Sequence, residues 1–274
     1  MHAHAVYRWS FDPGFLVALA VLTYVYVRRF RAARREAGGR GAGARHALAF
    51  AGAVLVLLIA LVSPVDRLGE DHLFSIHMVQ HILIGDIAPL LLLLSLSRVI
   101  MRPATRRLHA VERRLGRLAS PATFIALWLL LIYVWHLPPL YNAALRNPLV
   151  HAIEHMCFFA AGVCVWWPLI QPVPMRRRMT GLATFAYIGG AKLGLGALGL
   201  YLTWSSTLAY TYYAHVPRIW GLTAIQDQNV GGAIMMLEQS LVLVTCFAIL
   251  FVRMLVQSEQ EQVRRERLED VLPA

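Results

Sequence analysis

Lysine, cysteine and acidic residues are all scarce in this 274-residue chain, and each scarcity excludes something. The one lysine, Lys192, sits inside an apolar run rather than on a charged surface. The three cysteines (Cys157, Cys164, Cys246) all lie in apolar segments and form no C-x-x-C pair, which argues against a disulfide framework or a thiolate zinc site. The 15 acidic residues are outnumbered by 26 basic ones, giving a formal net charge of +11. The opening stretch MHAHAVYRWSFDPG lacks the basic n-region and small-residue cleavage site of a signal peptide, so no cleaved leader is expected from it. No internal repeat is evident.

What fills the chain is apolar side chain. It is 58% hydrophobic and 15% charged, with a mean hydropathy of +0.56, which is too apolar for a soluble domain. A spanning helix takes roughly 20 apolar residues at about 1.5 Å rise each. Seven stretches qualify, at about 12–28, 46–63, 75–97, 121–136, 148–168, 180–202 and 230–253, the first and fourth being short.

The arginines orient these spans. Twenty-one fall in alternate connections and the tail (28–45, 98–117, 176–178 and 253–267), against Arg8, Arg67, Arg146 and Arg218 on the other side. Cytoplasmic loops collect positive charge, so the first set is cytoplasmic. The chain is therefore predicted to be an all-α, polytopic transmembrane bundle of about seven spans, N-terminus outside and C-terminus cytoplasmic. Residues 1–255 form the membrane domain and 256–274 a cytoplasmic tail that reads as a short exposed helix. The net charge belongs to these clusters, and no nucleic-acid partner is expected; the partner is the lipid bilayer. Residues 31–45 read as a flexible basic linker. Residues 98–118 fit either a basic amphipathic helix on the cytoplasmic leaflet or a solvated charged loop.

Orientation brings the third, fifth and seventh spans into the membrane from the outside, so their first turns share a level. The third begins SIHMVQHILIGD, with His77 and His81 at i and i+4 on one face. The fifth begins NPLVHAIEHMCFF, with His151, Glu154 and His155 on one face. Polar side chains within hydrocarbon are expensive and are usually functional or paired. Imidazole suits copper, zinc and iron, and an i,i+4 pair presents two nitrogens to one ion. Two such pairs at equal depth point to a metal or haem site at His77, His81, His151 and His155, provided that the third and fifth spans adjoin. Interhelical hydrogen bonding is the bland alternative.

Other polar residues have secondary places. Glu154 reads as a ligand, a partner orienting a histidine, or a general base. His136 ends the fourth span, and Asp227 and Glu238 stand on the approach to and within the seventh; each is a candidate further ligand or partner of a ligand. Asp86, five residues past His81, lies roughly 140° round an α-helix and is expected to face elsewhere. Lys192, mid-membrane among glycines, is expected to pair with Asp86 or Glu238. Met78, Met235 and Met236 read first as apolar packing, although thioethers also bind copper. His2 and His4 carry only a weak metal-capture reading. The Trp- and Tyr-rich segment 203–229 reads as an interfacial belt, with His215 in its cap.

The stretches HMVQH (77–81), HAIEH with the WWP of the same helix (151–168), and DQNVGG (227–232) carry a resemblance. On them the chain resembles the polytopic CtaG family of bacterial cytochrome c oxidase (caa-type) assembly factors, over about residues 10 to 255. The resemblance implies a multi-pass protein of the bacterial plasma membrane, haem-copper oxidase subunits as partners, and copper as the ion delivered or inserted. Copper rests on the resemblance; the histidines alone allow zinc equally. The chain is accordingly read as a non-enzymatic assembly factor. HAIEH also fits the H-x-x-E-H pattern of inverted zincins, which leaves a membrane zinc hydrolase with Glu154 as general base as an alternative. A single-haem protein is the other; both histidines of each pair lie near one face, which argues against two haems.

Overall fold

In the computed structural model, which describes residues 7–179 and 181–269, every regular element is helical. His2, His4 and the last five residues lie outside the described residues. The elements are α1 (Pro13–Glu36), α2 (Ala44–Leu61), α3 (Pro64–Asp71), α4 (Phe74–Ser95), α5 (Arg102–Leu115), α6 (Pro121–Trp135), α7 (Pro138–Arg146), α8 (Pro148–Ile170), α9 (Leu182–Trp204) and α10 (Ala224–Glu269). Six of them (α1, α2, α4, α8, α9, α10) are long and apolar enough to cross a membrane. Helix α6, with 15 residues, makes a seventh when taken with α5, from which it is bent by 79°.

Polar and proline signals start these helices. Asp12 accepts a hydrogen bond from the Phe15 N–H (2.7 Å) ahead of Pro13, and Ser120 caps α6 ahead of Pro121. Asn147 separates α7 from α8, and its side chain accepts from the N–H groups of Leu149 and Val150 (2.9 and 3.3 Å). That tight start puts His151 on the first turn of α8.

Two ends of the bundle are distinct. At one, the Ser10 N–H donates to the Val62 carbonyl (2.9 Å), the start of α4 meets the start of α10, and α3, α7 and a 3₁₀ turn (Thr211–Ala214) fill the gaps. At the other, Arg29 donates to the carbonyls of Val99 and Ile100 (2.7 and 2.8 Å) and pairs with Glu36 (2.7 Å). Helix α5 is amphipathic, buries none of its residues, and is tied to the loop after α8 through His109 and Glu112. The arginine-rich segments thus gather opposite the histidines. Within residues 98–118, Arg102–Leu115 form the amphipathic helix, with turns at 98–101 and a 3₁₀ turn at Gly116–Leu118.

Three boundaries differ from the hydropathy reading. Helix α1 runs on to Glu36, so the first part of the basic linker is helical. Helix α10 begins at Ala224, taking Asp227 and Gln228 into its first turn, and continues unbroken past residue 255 to Glu269. Hydropathy sees only a lipid-length apolar core, whereas Arg, Ala, Glu and Gln sustain a helix into water. The short helices α3 and α7 have no hydropathy signal at all.

One local irregularity matters for the site. Residues Leu83–Ile87 form a π turn within α4, with the Ala88 N–H donating to the Leu83 carbonyl five residues back. Pro89 has no N–H to offer the Gly85 carbonyl, which frees the backbone to widen there. Gly162 of α8 packs directly on that carbonyl; a Cβ at 162 would collide with it and with Pro89. Gly162→Ala is therefore expected to cost about 1–3 kcal/mol, because backbone rather than a pliable side chain must yield. Its thermal midpoint in detergent should fall, and an unchanged midpoint would mean that α4 and α8 are not held in this contact.

Candidate metal centre

Helices α4 and α8 do adjoin, and their histidines meet. The ring centroids of His77 and His81 are 4.2 Å apart, those of His151 and His155 4.0 Å, and the two pairs face each other at 5.3 Å (His77–His151) and 5.7 Å (His81–His155). His77, His81, His151, Glu154 and His155 each offer a ligand atom within 4.8 Å of all the others, and all five side chains are buried. An ion with nitrogen ligands at about 2.0–2.1 Å separates opposed donors by about 4 Å, so a slight contraction would close the group around one ion.

The hydrogen bonds aim the rings. The Tyr213 hydroxyl donates to the Gly69 carbonyl (2.8 Å), so it accepts from Nδ1–H of His77 (2.9 Å). Nδ1–H of His151 donates to a Glu70 carboxylate oxygen (2.8 Å), and Nδ1–H of His136 to the Ile132 carbonyl (2.8 Å). In each ring Nε2 is then left with the free lone pair. A carboxylate or carbonyl behind a histidine is the usual way a metal ligand's tautomer is set.

The inward-facing atoms have no protein hydrogen-bond partner. These are Nε2 of His77, His151 and His155, both ring nitrogens of His81, and both carboxylate oxygens of Glu154. Glu154 lies 3.9 Å from both His81 Nε2 and His151 Nε2, too far for hydrogen bonds. Each buried unpaired polar atom costs about 1–3 kcal/mol, so seven in one place form an unstable arrangement unless something bonds them together. A cation accepts one lone pair from each imidazole together with the Glu154 oxygens, and the other His81 nitrogen carries that ring's proton. The donor set thus fits a small metal ion.

The surroundings wall the cluster off. Phe74 of α4, Tyr141 of α7, and Tyr210 and Tyr213 of the segment after α9 are fully buried and stack over it, Tyr141 on Tyr210 at 3.9 Å. The aromatic segment 203–229 therefore divides. Trp204 and Trp220 are exposed, as a belt requires, while Tyr210 and Tyr213 form an inner lid, and His215 is exposed beyond it. Gln80 crosses from α4 to donate to the Ala60 carbonyl (3.0 Å) and to Asp66 (2.8 Å). Burial, with Glu70 nearby, pushes the Asp66 carboxyl up to about 6.

The remaining candidates have other places. Asp227 uses both carboxylate oxygens to accept from the N–H groups of Phe74 and Ser75 (2.7 and 3.1 Å), capping α4 from α10. His136 lies outside the five-residue group, its ring 5.9 Å from His81. Lys192 contacts Asp86 and stands 3.8 Å from Glu238, with Trp166 Nε1 also donating to Asp86. Asp86 does not face away from His81: the two line one cavity, because a π turn takes roughly one more residue per turn than an α-helix and swings Asp86 round. Glu70 and Tyr213 were not legible as site residues, since one sits in an unpredicted loop helix and the other resembles any interfacial tyrosine.

A buried, lidded, histidine-rich cluster at one end of a polytopic helical bundle defines a membrane protein built around a candidate metal centre. A family model described as "Cytochrome c oxidase caa3 assembly factor (Caa3_CtaG)" matches residues 24–257, and the chain belongs to that family. Among its relatives are uncharacterized proteins of Mycobacterium bovis and Mycobacterium tuberculosis, each 27% identical over 243 residues, covering 82% of this chain and 36% of the relative. One of Mycobacterium leprae is 25% identical over 283 residues, covering 96% of this chain and 42% of the relative. The chain thus spans well under half the length of these relatives. No solved structure matches it.

Proposed function

We propose that the protein handles copper for the assembly of a haem-copper oxidase in the bacterial plasma membrane. In this reading, His77, His81, His151 and His155 bind the ion near the outer face, with Glu154 as a further ligand or neutralising charge. The N-terminus lies outside, the 256–274 tail is cytoplasmic, and oxidase subunits are the partners. The observation that carries the reading is the convergence of four histidines and Glu154 on one point, with partners behind His77 and His151 that leave Nε2 free. Donors this close together suit an ion better than a porphyrin, which needs a broad slot. Copper over zinc follows from membership of the oxidase-assembly family.

Two measurements test it. Protein purified in detergent should carry copper, and His77→Ala/His155→Ala should lose most of it. In cells lacking the native protein, wild type should restore copper-replete oxidase and the double variant should not. A variant devoid of metal that still supports full oxidase assembly would overturn the proposal. Zinc in place of copper, with hydrolysis lost in Glu154→Ala, would favour the hydrolase alternative.

The partners behind the ligands give a finer test. Tyr213→Phe removes the acceptor for His77 Nδ1–H, and Glu70→Ala the one for His151 Nδ1–H. Each is expected to weaken metal binding by roughly 10–100-fold without removing a ligand. Competition titration against a chelator of known affinity reads this out. Wild-type affinity in both variants would show that tautomer control is not part of the site.

A further inference from the structure

Beside the histidine cluster lies a second feature, which shares only His81 with it. A cavity of about 40 Å³ opens between α4, α6, α8, α9 and α10, and its wall includes Met78, His81, Asp86, His136, Met235 and Glu238. Roughly 10–15 Å³ of such volume suffices for one water, so this space can hold an ion. Most of its wall is apolar, but a few side chains on it are able to bind a metal. His136 is buried, its Nδ1–H is committed to the Ile132 carbonyl, and its Nε2 has no protein partner. His81 has two unpartnered ring nitrogens, yet as a neutral imidazole it brings only one free lone pair. Met78 and Met235 are buried thioethers on the same wall. Glu238 Oε1 has no hydrogen-bond partner.

We propose that this cavity is a second binding station, for a soft monovalent metal cation, with Met78, Met235 and His136 as its own ligands and His81 shared with the outer cluster. It rests on the reading that the outer cluster takes up a metal ion, and it extends that reading into a route. Thioether and imidazole together select a soft ion such as copper(I) or silver(I) over zinc or magnesium. Because His81 has one lone pair, it serves one ion at a time, so an ion moves inward by exchanging outer ligands for inner ones around a common imidazole.

Silver(I) is the probe, added to the full chain in detergent, with excess removed over a weak competitor and the metal counted by mass spectrometry. His151→Ala/His155→Ala dismantles the outer cluster and leaves the inner ligands intact; it is expected to keep about one equivalent of silver. Adding Met78→Leu/Met235→Leu, which conserves side-chain volume, should lower that retained silver by about tenfold or more while the thermal midpoint holds. If the first variant binds none although wild type does, the inner station is refuted and the outer reading stands. If removing the methionines changes nothing, the inner station is also refuted. Met78→Leu/Met235→Leu alone, with the outer histidines intact, should still bind silver; if it binds none while the His151→Ala/His155→Ala protein does, the inner station stands and the outer reading falls. X-ray absorption on the His151→Ala/His155→Ala protein loaded with copper(I) needs no change at the methionines. Sulfur around the metal is expected there, and a nitrogen- and oxygen-only shell overturns the proposal.

Discussion

Lys192→Ala is expected to destabilise the protein by about 3–5 kcal/mol, the cost of breaking a buried ion pair from one side. Lys192 is the sole lysine of the chain and is buried between α4 and α10, where it contacts Asp86 and lies 3.8 Å from Glu238. Its ammonium also stands 5.2 and 5.6 Å from the ring centroids of Trp166 and Trp128, which adds cation–π attraction in a poorly solvated place. Alanine leaves two carboxylates close together with no cation. The thermal midpoint in detergent should drop by on the order of 10 °C. Lys192→Met/Asp86→Asn should recover part of the loss, because it removes one of the stranded charges along with the lysine. If the double variant were no more stable than the single one, the ion pair would not be the origin of the effect.

This three-residue cluster also illustrates what sequence can and cannot disclose. An intramembrane lysine must have a carboxylate partner, so its pairing with Asp86 or Glu238 was legible from cost alone; that it touches the first and nears the second was not. That the histidines share one end of the bundle was legible, because the alternation of arginine-rich connections and the i,i+4 spacing both follow from local rules. The adjacency of α4 and α8 was not, since apolar periodicity says which face is polar but not which helix it meets. Asp86 was misjudged for a specific reason: the angle from His81 was counted on an α-helix, and the π turn at Leu83–Ile87 changes that count. Pro89 and Gly85 were its only traces in the sequence. Glu70 and Tyr213 lie outside the apolar runs, where hydropathy has nothing to say, and only tertiary packing brings them behind His151 and His77.

The DQN stretch was read as an approach to the last helix, and its role there is larger. Gln228 holds the segment after α9 by accepting from the Ala209 N–H (2.7 Å) and donating to the Thr207 carbonyl (3.1 Å). Asn229 donates to the carbonyls of Leu202 and Ser205 (2.9 and 3.0 Å), finishing α9. Asp227 has the most demanding task. Leu73 precedes α4 and offers no side-chain cap, so the carboxylate of α10 supplies the acceptors for the first N–H groups of α4. That fixes the axial position of a helix whose next turn carries His77. Asp227→Ala strands two buried N–H groups at about 1–3 kcal/mol each and removes two charge-assisted bonds, so a loss of roughly 2–5 kcal/mol is expected. Asp227→Asn, which keeps one carbonyl acceptor, should lie between the two. The alanine variant should also bind metal more weakly, since His77 moves with its helix end although no ligand is touched. A thermal midpoint near wild type would refute the capping role. A large loss of stability with unchanged metal affinity would mean instead that α4 is positioned by its packing on α8, and that Asp227 only secures the helix end.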